Sequence, residues 1–250
     1  MENMTDIIWL DSIDSTNNEA KRRLDKISHT TVIAAKEQTA GRGQRGNSWK
    51  TETAKNLTFS LVMKSGNGTM DGVAVACQFV ISEAIALGIT GYLREKGIGA
   101  MIKWPNDIYV GDRKICGILI ENTVRNGQLS SCIAGVGLNV NQTDFPENIP
   151  NPVSMTLISG KEYVLETELV NLTRHITERL SEIHDFSDRL KSDYLTLLYR
   201  KNEPYRYMDM RNGNEFTGII RGINETALLQ VEDAEGRIIE FAFKEIGYII

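Results

Sequence analysis

Two long apolar runs joined by an Asn-Gly turn constrain the fold of this chain more than any other feature. Residues 114–123 and 129–140 both read as strands, and Asn126-Gly127 lies between them. Asn-Gly is a strong hairpin signal because both turn residues tolerate positive φ angles. The pattern predicts an antiparallel pair inside a larger sheet. Residues 129–140 fit equally well at a dimer edge or paired within the domain.

Further apolar runs precede and follow this hairpin in the chain. Amphipathic helices are predicted around Leu169 to Ile183 and around Leu190 to Leu197, from apolar residues at helical spacing. The run at residues 73–87 is apolar almost all round, which predicts a buried helix ended by Gly88. Further short strands are predicted at residues 7–10, 31–36, 57–63, 100–103 and 108–110.

The pattern changes after about Lys201. Short β-like runs follow, punctuated by Asn212-Gly213 and Glu235-Gly236, and such spacing is typical of a small β-barrel. The sequence therefore predicts an α+β chain with a large domain at residues 1–200 and a small β-domain at residues 201–250. Because so small a β-domain has a thin core, we expect it to dock on the larger one.

Charge and composition exclude several classes of protein. The 250 residues carry a net charge of −5, which gives no general bias towards nucleic acid. Three scattered cysteines and three histidines fit neither a disulfide framework nor a zinc site. Residues 73–87 are too few to span a bilayer, and the N-terminus has no signal-peptide pattern. A soluble, cytoplasmic protein without membrane association is predicted.

Residues 41–49, called the glycine–arginine loop below, are the most informative stretch. Gly41, Gly43 and Gly46 match the dinucleotide-binding pattern, but no helix and no acidic residue follow at the required distances. Glycines let a backbone approach a ligand, and Arg42 and Arg45 are suited to phosphate or carboxylate. The residues alone favour this interpretation no more than a solvated, arginine-rich hairpin loop.

A second informative stretch is the turn at residues 103–107. Lys103 is suited to a phosphate, Trp104 to an aromatic wall, and Asp107 to a magnesium ion through water. Further along, Lys114 precedes an apolar strand in which Gly117 indicates close approach of a ligand or backbone. Taken one at a time, these residues fit a rigid turn and ordinary sheet core at least as well.

Together, these stretches resemble one family, the biotin–protein ligases, also called biotin–[acetyl-CoA-carboxylase] ligases. The resemblance covers nearly all of residues 5–200, and its motifs occur in the family's order. The motifs are Asp14-Ser15-Thr16-Asn17-Asn18, Glu37-Gln38-Thr39-Ala40-Gly41-Arg42-Gly43-Gln44-Arg45-Gly46, Trp49, Lys103-Trp104-Pro105-Asn106-Asp107, Lys114-Ile115-Cys116-Gly117-Ile118-Leu119, and Gly135-Val136-Gly137-Leu138-Asn139-Val140.

The resemblance implies a mixed-sheet catalytic domain of the class II synthetase type, followed by an SH3-like β-barrel. It implies that biotin and ATP, with Mg²⁺, give biotinyl-5′-AMP and pyrophosphate. A lysine of a biotin carboxyl carrier protein or domain, the partner, then takes the biotin. Because the first step brings two anions together, cationic side chains should dominate catalysis.

The resemblance also implies the site residues. It places biotin contacts at Ser15, Thr16, Asn17, Gln38, Arg42, Gly43, Gln44, Lys114 and Gly117. It places ATP or adenylate contacts at Arg42, Arg45, Trp49, Lys103, Trp104, Asn106 and Asn139. Catalysis is assigned to Lys114, Arg42, Arg45 and Lys103, and a metal to Asp107.

Two departures from the family pattern affect these expectations. Gln44 and Asn47 stand where the family often has basic residues, so fewer charges face a phosphate. Many members also begin with a winged-helix DNA-binding domain, whereas the motifs here start at Asp14. We therefore expect no specific DNA binding.

Three other functions are weighed against this one. A lipoate– or octanoate–protein ligase would share the fold, although the Gly-Arg-Gly and Lys-Trp-Pro-Asn-Asp motifs favour biotin. A nucleic-acid-binding protein is disfavoured by the net charge and by the few aromatic residues near the loop. A nicotinamide oxidoreductase is disfavoured by the missing helix and acidic residue.

Overall fold

The computed structural model describes residues 5–66, 70–185 and 187–250, and for Arg45 it describes the backbone alone. A seven-stranded mixed sheet forms the frame of the larger part, in the order β1-β2-β3-β7-β6-β5-β4, with the β1–β2 pair parallel and the other pairs antiparallel. Its strands are β1 (Asp6–Ile13), β2 (Thr31–Gln38), β3 (Leu57–Lys64), β4 (Met101–Lys103), β5 (Asp107–Val110), β6 (Arg113–Arg125) and β7 (Gln128–Leu138).

The predicted hairpin is confirmed. Arg125 pairs with Gln128, and both turn residues have positive φ angles, 52° at Asn126 and 76° at Gly127. β7 also pairs with β3 on its other side. The alternative that residues 129–140 form a dimer edge is therefore wrong, because both sides of this strand already have partners.

Five helices accompany the sheet in the described residues, and α2 packs on α4 and α5. The prediction of a helix over residues 73–87 was wrong at both ends, since α2 starts later and continues past Gly88. Gly88 does not end the helix, because it serves helix packing instead. A Cβ atom there would lie 2.6 Å from Ile176 Cα on α4. The helices are α1 (Thr16–Arg23), α2 (Phe79–Glu95), α3 (Met155–Ser159), α4 (Leu165–Leu180) and α5 (Ser187–Thr196).

The apolar helical stretch is longer than residues 73–87 indicated. Within the described residues, Val75–Glu95 is one helical stretch long and apolar enough, by length and composition alone, to cross a membrane. In this structure 56% of its most apolar window is buried inside the protein. Burial against α4 and α5 is what the core helix of a packed domain would show.

Glu83 is a buried carboxyl group on α2. Burial raises its pKa from 4.5 to about 7, although the charge of Lys191 opposes the shift. A carboxyl group with a higher pKa in the folded state binds its proton more tightly there, so stability falls as the pH rises from about 4.5 to about 7.

Replacing Glu83 with glutamine is expected to remove this loss. At pH 8 the variant should gain up to about 3 kcal/mol in free energy of unfolding, and at pH 4 it should match the wild type. Urea unfolding at both pH values measures the difference. Glu162→Gln, at an exposed carboxylate, is the matched control. Equal effects of the two substitutions at pH 8 would contradict the role assigned to burial.

A second, antiparallel sheet forms the C-terminal β-domain, in the order β11-β10-β9-β8-β12. The α+β class is thus confirmed, with a mixed-sheet domain followed by a small β-domain. The strands of the second sheet are β8 (Pro204–Asp209), β9 (Asn214–Ile223), β10 (Leu229–Glu232), β11 (Ile238–Phe241) and β12 (Ile246–Tyr248).

The β-domain docks on the larger domain, as expected, and the turn at residues 103–107 takes part. Trp104 Nε1 donates to the Ala227 carbonyl at 3.1 Å, and its ring packs edge-on against Phe243. Lys103 Nζ lies 4.6 Å from the ring centre of Tyr109 and 4.7 Å from that of Tyr248. This amine is therefore held among aromatic rings rather than in water, and its burial there lowers the pKa of Lys103.

Candidate active site

The first part of the site is where β1 passes into α1. Ser15, Thr16 and Asn17 are all buried there. Gln38, at the end of β2, accepts from the Thr16 backbone amide at 2.8 Å and from its hydroxyl at 3.2 Å. Ser60 Oγ, on β3, lies 2.6 Å from Asn17 Oδ1. These bonds hold several polar side chains in one orientation at the wall of a cavity.

Glycines on the neighbouring strands make room for those side chains. A Cβ atom on Gly135 would overlap Asn17 Oδ1 and lie 3.1 Å from its Cγ. Gly117 and Gly137 pair across β6 and β7, and the Trp49 ring lies on this pair. A Cβ on Gly137 would be 2.6 Å from Trp49 Cζ2. The glycines therefore permit a close approach that any larger residue would block.

The glycine–arginine loop folds back on itself to place that ring. Trp49 N–H donates to the Gly41 carbonyl at 2.9 Å, and Arg42 and Ser48 form a β-bridge. Trp49 Nε1 is buried and has no hydrogen-bond partner among the described residues. The cavity that remains beside the ring has a volume of only about 60 Å³. A ring-sized ligand gains access only if Trp49 and its loop move.

All nine predicted biotin contacts line this first cavity, whose described lining also includes Phe59, Ile118, Leu119, Val136 and the Gly135 and Gly137 positions. Sequence reasoning did not assign those further residues as contacts. Alternation along β6 and β7 was a signal for Leu119, Gly135 and Gly137, which share a sheet face with Gly117. It gave no signal for Ile118 and Val136, which pair on the opposite face, or for Phe59 on β3.

Lys114 is the cation at the centre of the site. Its Nζ lies 2.6 Å from Asp107 Oδ1 and 5.5 Å from the centre of the Trp49 ring. Lys114 lines the first cavity and also a second one of about 500 Å³. A carboxylate bound in the first cavity and a phosphate bound in the second would therefore meet at this amine.

The second cavity contains several residues predicted to contact ATP. Trp49, Asn106 and Asn139 line it together with Asp107 and Gln44. Asn139 is held by its own amide, which donates to the Val153 carbonyl at 3.0 Å. The other described residues that line the second cavity are Gly43, Asn47, Ser48, Lys50, Lys114, Phe145, Asn148, Ile149, Pro150, Pro152 and Lys244.

Two of the residues predicted to contact ATP are placed differently. Lys103 and Trp104 lie at the domain interface described above and are not among the described residues that line the two cavities. Arg42 lines the first cavity, on the side predicted for biotin. The side chain of Arg45 lies outside the described part of the structure, so its phosphate role stays a prediction.

Among the described residues that line the two cavities, Asp107 is the one carboxylate that could hold a divalent metal. Within residues 5–66, 70–185 and 187–250, no group of three or more His, Cys, Asp or Glu residues is placed to hold an ion. Mg²⁺ commonly binds through one or two carboxylates together with substrate phosphates. Asp107, in the wall of the second cavity, fits that mode.

Comparison with known proteins connects this geometry to a family. A model of the biotin/lipoate A/B protein ligase family matches residues 9–139, which is more than half of the chain. The chain belongs to this family. The matched segment contains every motif residue that lines the two cavities, from Ser15 to Asn139.

Members of the ligase family with curated names are similar over long stretches. The bifunctional ligase/repressor BirA of Escherichia coli is 28% identical over 231 residues, covering 88% of this chain and 67% of that protein. The biotin–[acetyl-CoA-carboxylase] ligase of Paracoccus denitrificans is 33% identical over 128 residues, about half of each chain. The chain thus spans between half and two thirds of the length of these relatives.

Solved structures of the family share the whole fold. The biotin protein ligase from Aquifex aeolicus in complex with biotin and ATP superposes with a TM-score of 0.79 at 26% identity, over 98% of both chains. The superposition includes the C-terminal β-domain as well as the mixed-sheet domain.

Proposed function

We propose that this protein is an ATP-dependent biotin–protein ligase. One observation carries the proposal: nine residues suited to biotin line a single cavity, and that cavity meets a second, larger one at Lys114. Hydroxyl and amide groups around Ser15, Thr16 and Asn17 are suited to the ureido ring of biotin. The similarity to a ligase solved with biotin and ATP supports the same ligands here.

The first step joins two anions. A carboxylate oxygen of biotin attacks the α-phosphorus of ATP, the bond to the bridging oxygen breaks, and pyrophosphate leaves. Lys114 is placed to hold the carboxylate and then the phosphate bonded to it, which offsets charge and fixes the approach of the two groups. Mg²⁺, held at Asp107, would neutralise part of the charge on the phosphates.

In the second step, the ε-amine of an acceptor lysine attacks the carbonyl carbon of biotinyl-5′-AMP. An amide forms, AMP leaves with the electron pair of the broken bond, and the amine releases a proton. We propose that the acceptor belongs to a biotin carboxyl carrier protein or domain. A cytoplasmic location, a homodimer, and the lack of specific DNA or membrane binding stay predictions.

Transfer of radiolabelled biotin to a purified biotin carrier domain tests the function. We expect label on the carrier only when the enzyme, ATP and Mg²⁺ are all present. A carrier whose acceptor lysine is replaced by arginine is the matched control and should stay unlabelled. Labelled lipoate or octanoate, offered in parallel, should not transfer. Labelling without ATP, or preferential transfer of lipoate or octanoate, would contradict the proposal.

A further inference from the structure

Glu121, on β6, gathers an unusual number of donors. Its carboxylate accepts from Lys21 Nζ at 2.8 Å and from Asn17 Nδ2 at 2.9 Å. The Arg42 guanidinium adds two bonds, at 3.0 and 3.3 Å, one to each carboxylate oxygen. The Glu121 side chain is 23% exposed, and the residue is not in any of the motif stretches named above.

The charge of this carboxylate is well supported. Burial opposes ionisation, but hydrogen bonds from Lys21 and Asn17 and the charge of Arg42 hold the pKa of Glu121 below its usual value. Glu121 is therefore an anion at neutral pH, between two cations. Fork-shaped pairing of arginine with a carboxylate is directional as well as strong, so it fixes where the Arg42 side chain lies.

Two of the residues that donate to Glu121, Asn17 and Arg42, come from different parts of the site. Asn17 belongs to the wall of the first cavity, whereas Arg42 is in the glycine–arginine loop that carries Trp49. In the described part of that loop, which excludes the Arg45 side chain, the side-chain hydrogen bonds to the rest of the protein come from Arg42. They go to Asn18, at 3.0 Å, and to Glu121.

The loop has to move for a ligand to pass. Trp49 lies on the Gly117–Gly137 pair and leaves about 60 Å³ beside it. Opening of the loop therefore precedes both binding and release of a ring-sized ligand, and the bonds of Arg42 break when the loop opens.

We propose that Glu121 is a positioning residue that latches the glycine–arginine loop closed and so sets how fast biotin enters and leaves. The inference rests on the proposed function for the identity of the ligand. Glu121 touches no ligand in this scheme, because it acts through Arg42 and Asn17. A latch differs from a binding contact in one measurable way: weakening it speeds association as well as dissociation.

Glu121→Gln tests this difference, because it removes the charge and keeps an oxygen that can accept from Asn17. Stopped-flow tryptophan fluorescence with biotin should show both rate constants raised by about fivefold, with Kd changed much less. Hydrogen exchange in residues 41–49 of the ligand-free protein should also quicken by a similar factor. Arg42→Gln should reproduce the faster exchange, and the double variant should add little to it.

Glu232→Gln is the matched control, because Glu232 pairs with Arg221 on the second sheet, away from the loop. It should change neither rate. Faster dissociation alone, or exchange in residues 41–49 no faster than in the control, would overturn the latch. Should Glu121→Gln lower the melting temperature strongly, Glu121→Asp keeps the charge but is too short for all four bonds, and it should also speed exchange. If the wild type binds no biotin, the proposed function fails, while the exchange experiment still decides the latch.

Discussion

Replacing Lys114 with alanine is expected to slow formation of biotinyl-5′-AMP by about 10²–10³-fold. The amine lies where the two cavities meet, so its loss removes the charge that brings a carboxylate and a phosphate together. Release of pyrophosphate, followed in a coupled assay, measures this step without the carrier protein. Lys114→Met, which keeps most of the length and none of the charge, should be equally slow.

Lys114→Ala should lower the stability of the fold only slightly, in contrast to its large effect on the rate. The ion pair with Asp107 is partly exposed, with side-chain exposures of 29% and 20%, so its loss should lower the melting temperature by about 2–4 °C. Lys36→Ala, which removes an exposed pair with Asp11, is the matched control and should leave the rate unchanged. A wild-type rate in Lys114→Ala would remove the basis of the proposed first step.

Replacing Gly135 with alanine is expected to weaken biotin binding by about 5- to 150-fold. The added methyl group would overlap Asn17 Oδ1, and Asn17 cannot yield without losing bonds to Ser60 and Glu121. Isothermal titration with biotin, in the absence of ATP, measures the effect directly.

Gly99→Ala provides the matched control for this substitution. A Cβ atom at Gly99 meets nothing within 4 Å, and the residue does not have a positive φ angle. Gly99→Ala should therefore leave the dissociation constant for biotin unchanged. If Gly135→Ala bound biotin as tightly as Gly99→Ala, the wall at Asn17 would not be a biotin contact.

Much of the fold could be predicted because its signals are local. The Asn126-Gly127 hairpin and the change of pattern near Lys201 depend on residues that are neighbours in the chain. Gly88 could not be interpreted this way. A glycine late in an apolar run indicates a helix end by itself, and its real role depends on Ile176, which lies 88 residues further along.

In the candidate site too, residues within local motifs could be predicted, whereas roles that depend on contacts across the sheet could not. The family motifs contained the nine predicted biotin contacts, all of which line the first cavity, but their roles stay predictions until they are tested. Gly135 and Gly137 stood in a motif without an assigned function, because their purpose depends on Asn17 and Trp49 across the sheet. Glu121 gave no sequence signal, since one acidic residue in a strand is ordinary until its four donors are seen together.

Lys244 connects the C-terminal β-domain to the second cavity, although this domain carries none of the family motifs. One positive charge beside the second cavity thus depends on how the two domains pack together, through contacts such as that between Trp104 and Ala227. Substitutions on the β-domain side of this interface would therefore alter the affinity for whatever binds in the second cavity, although that side contains no motif residue.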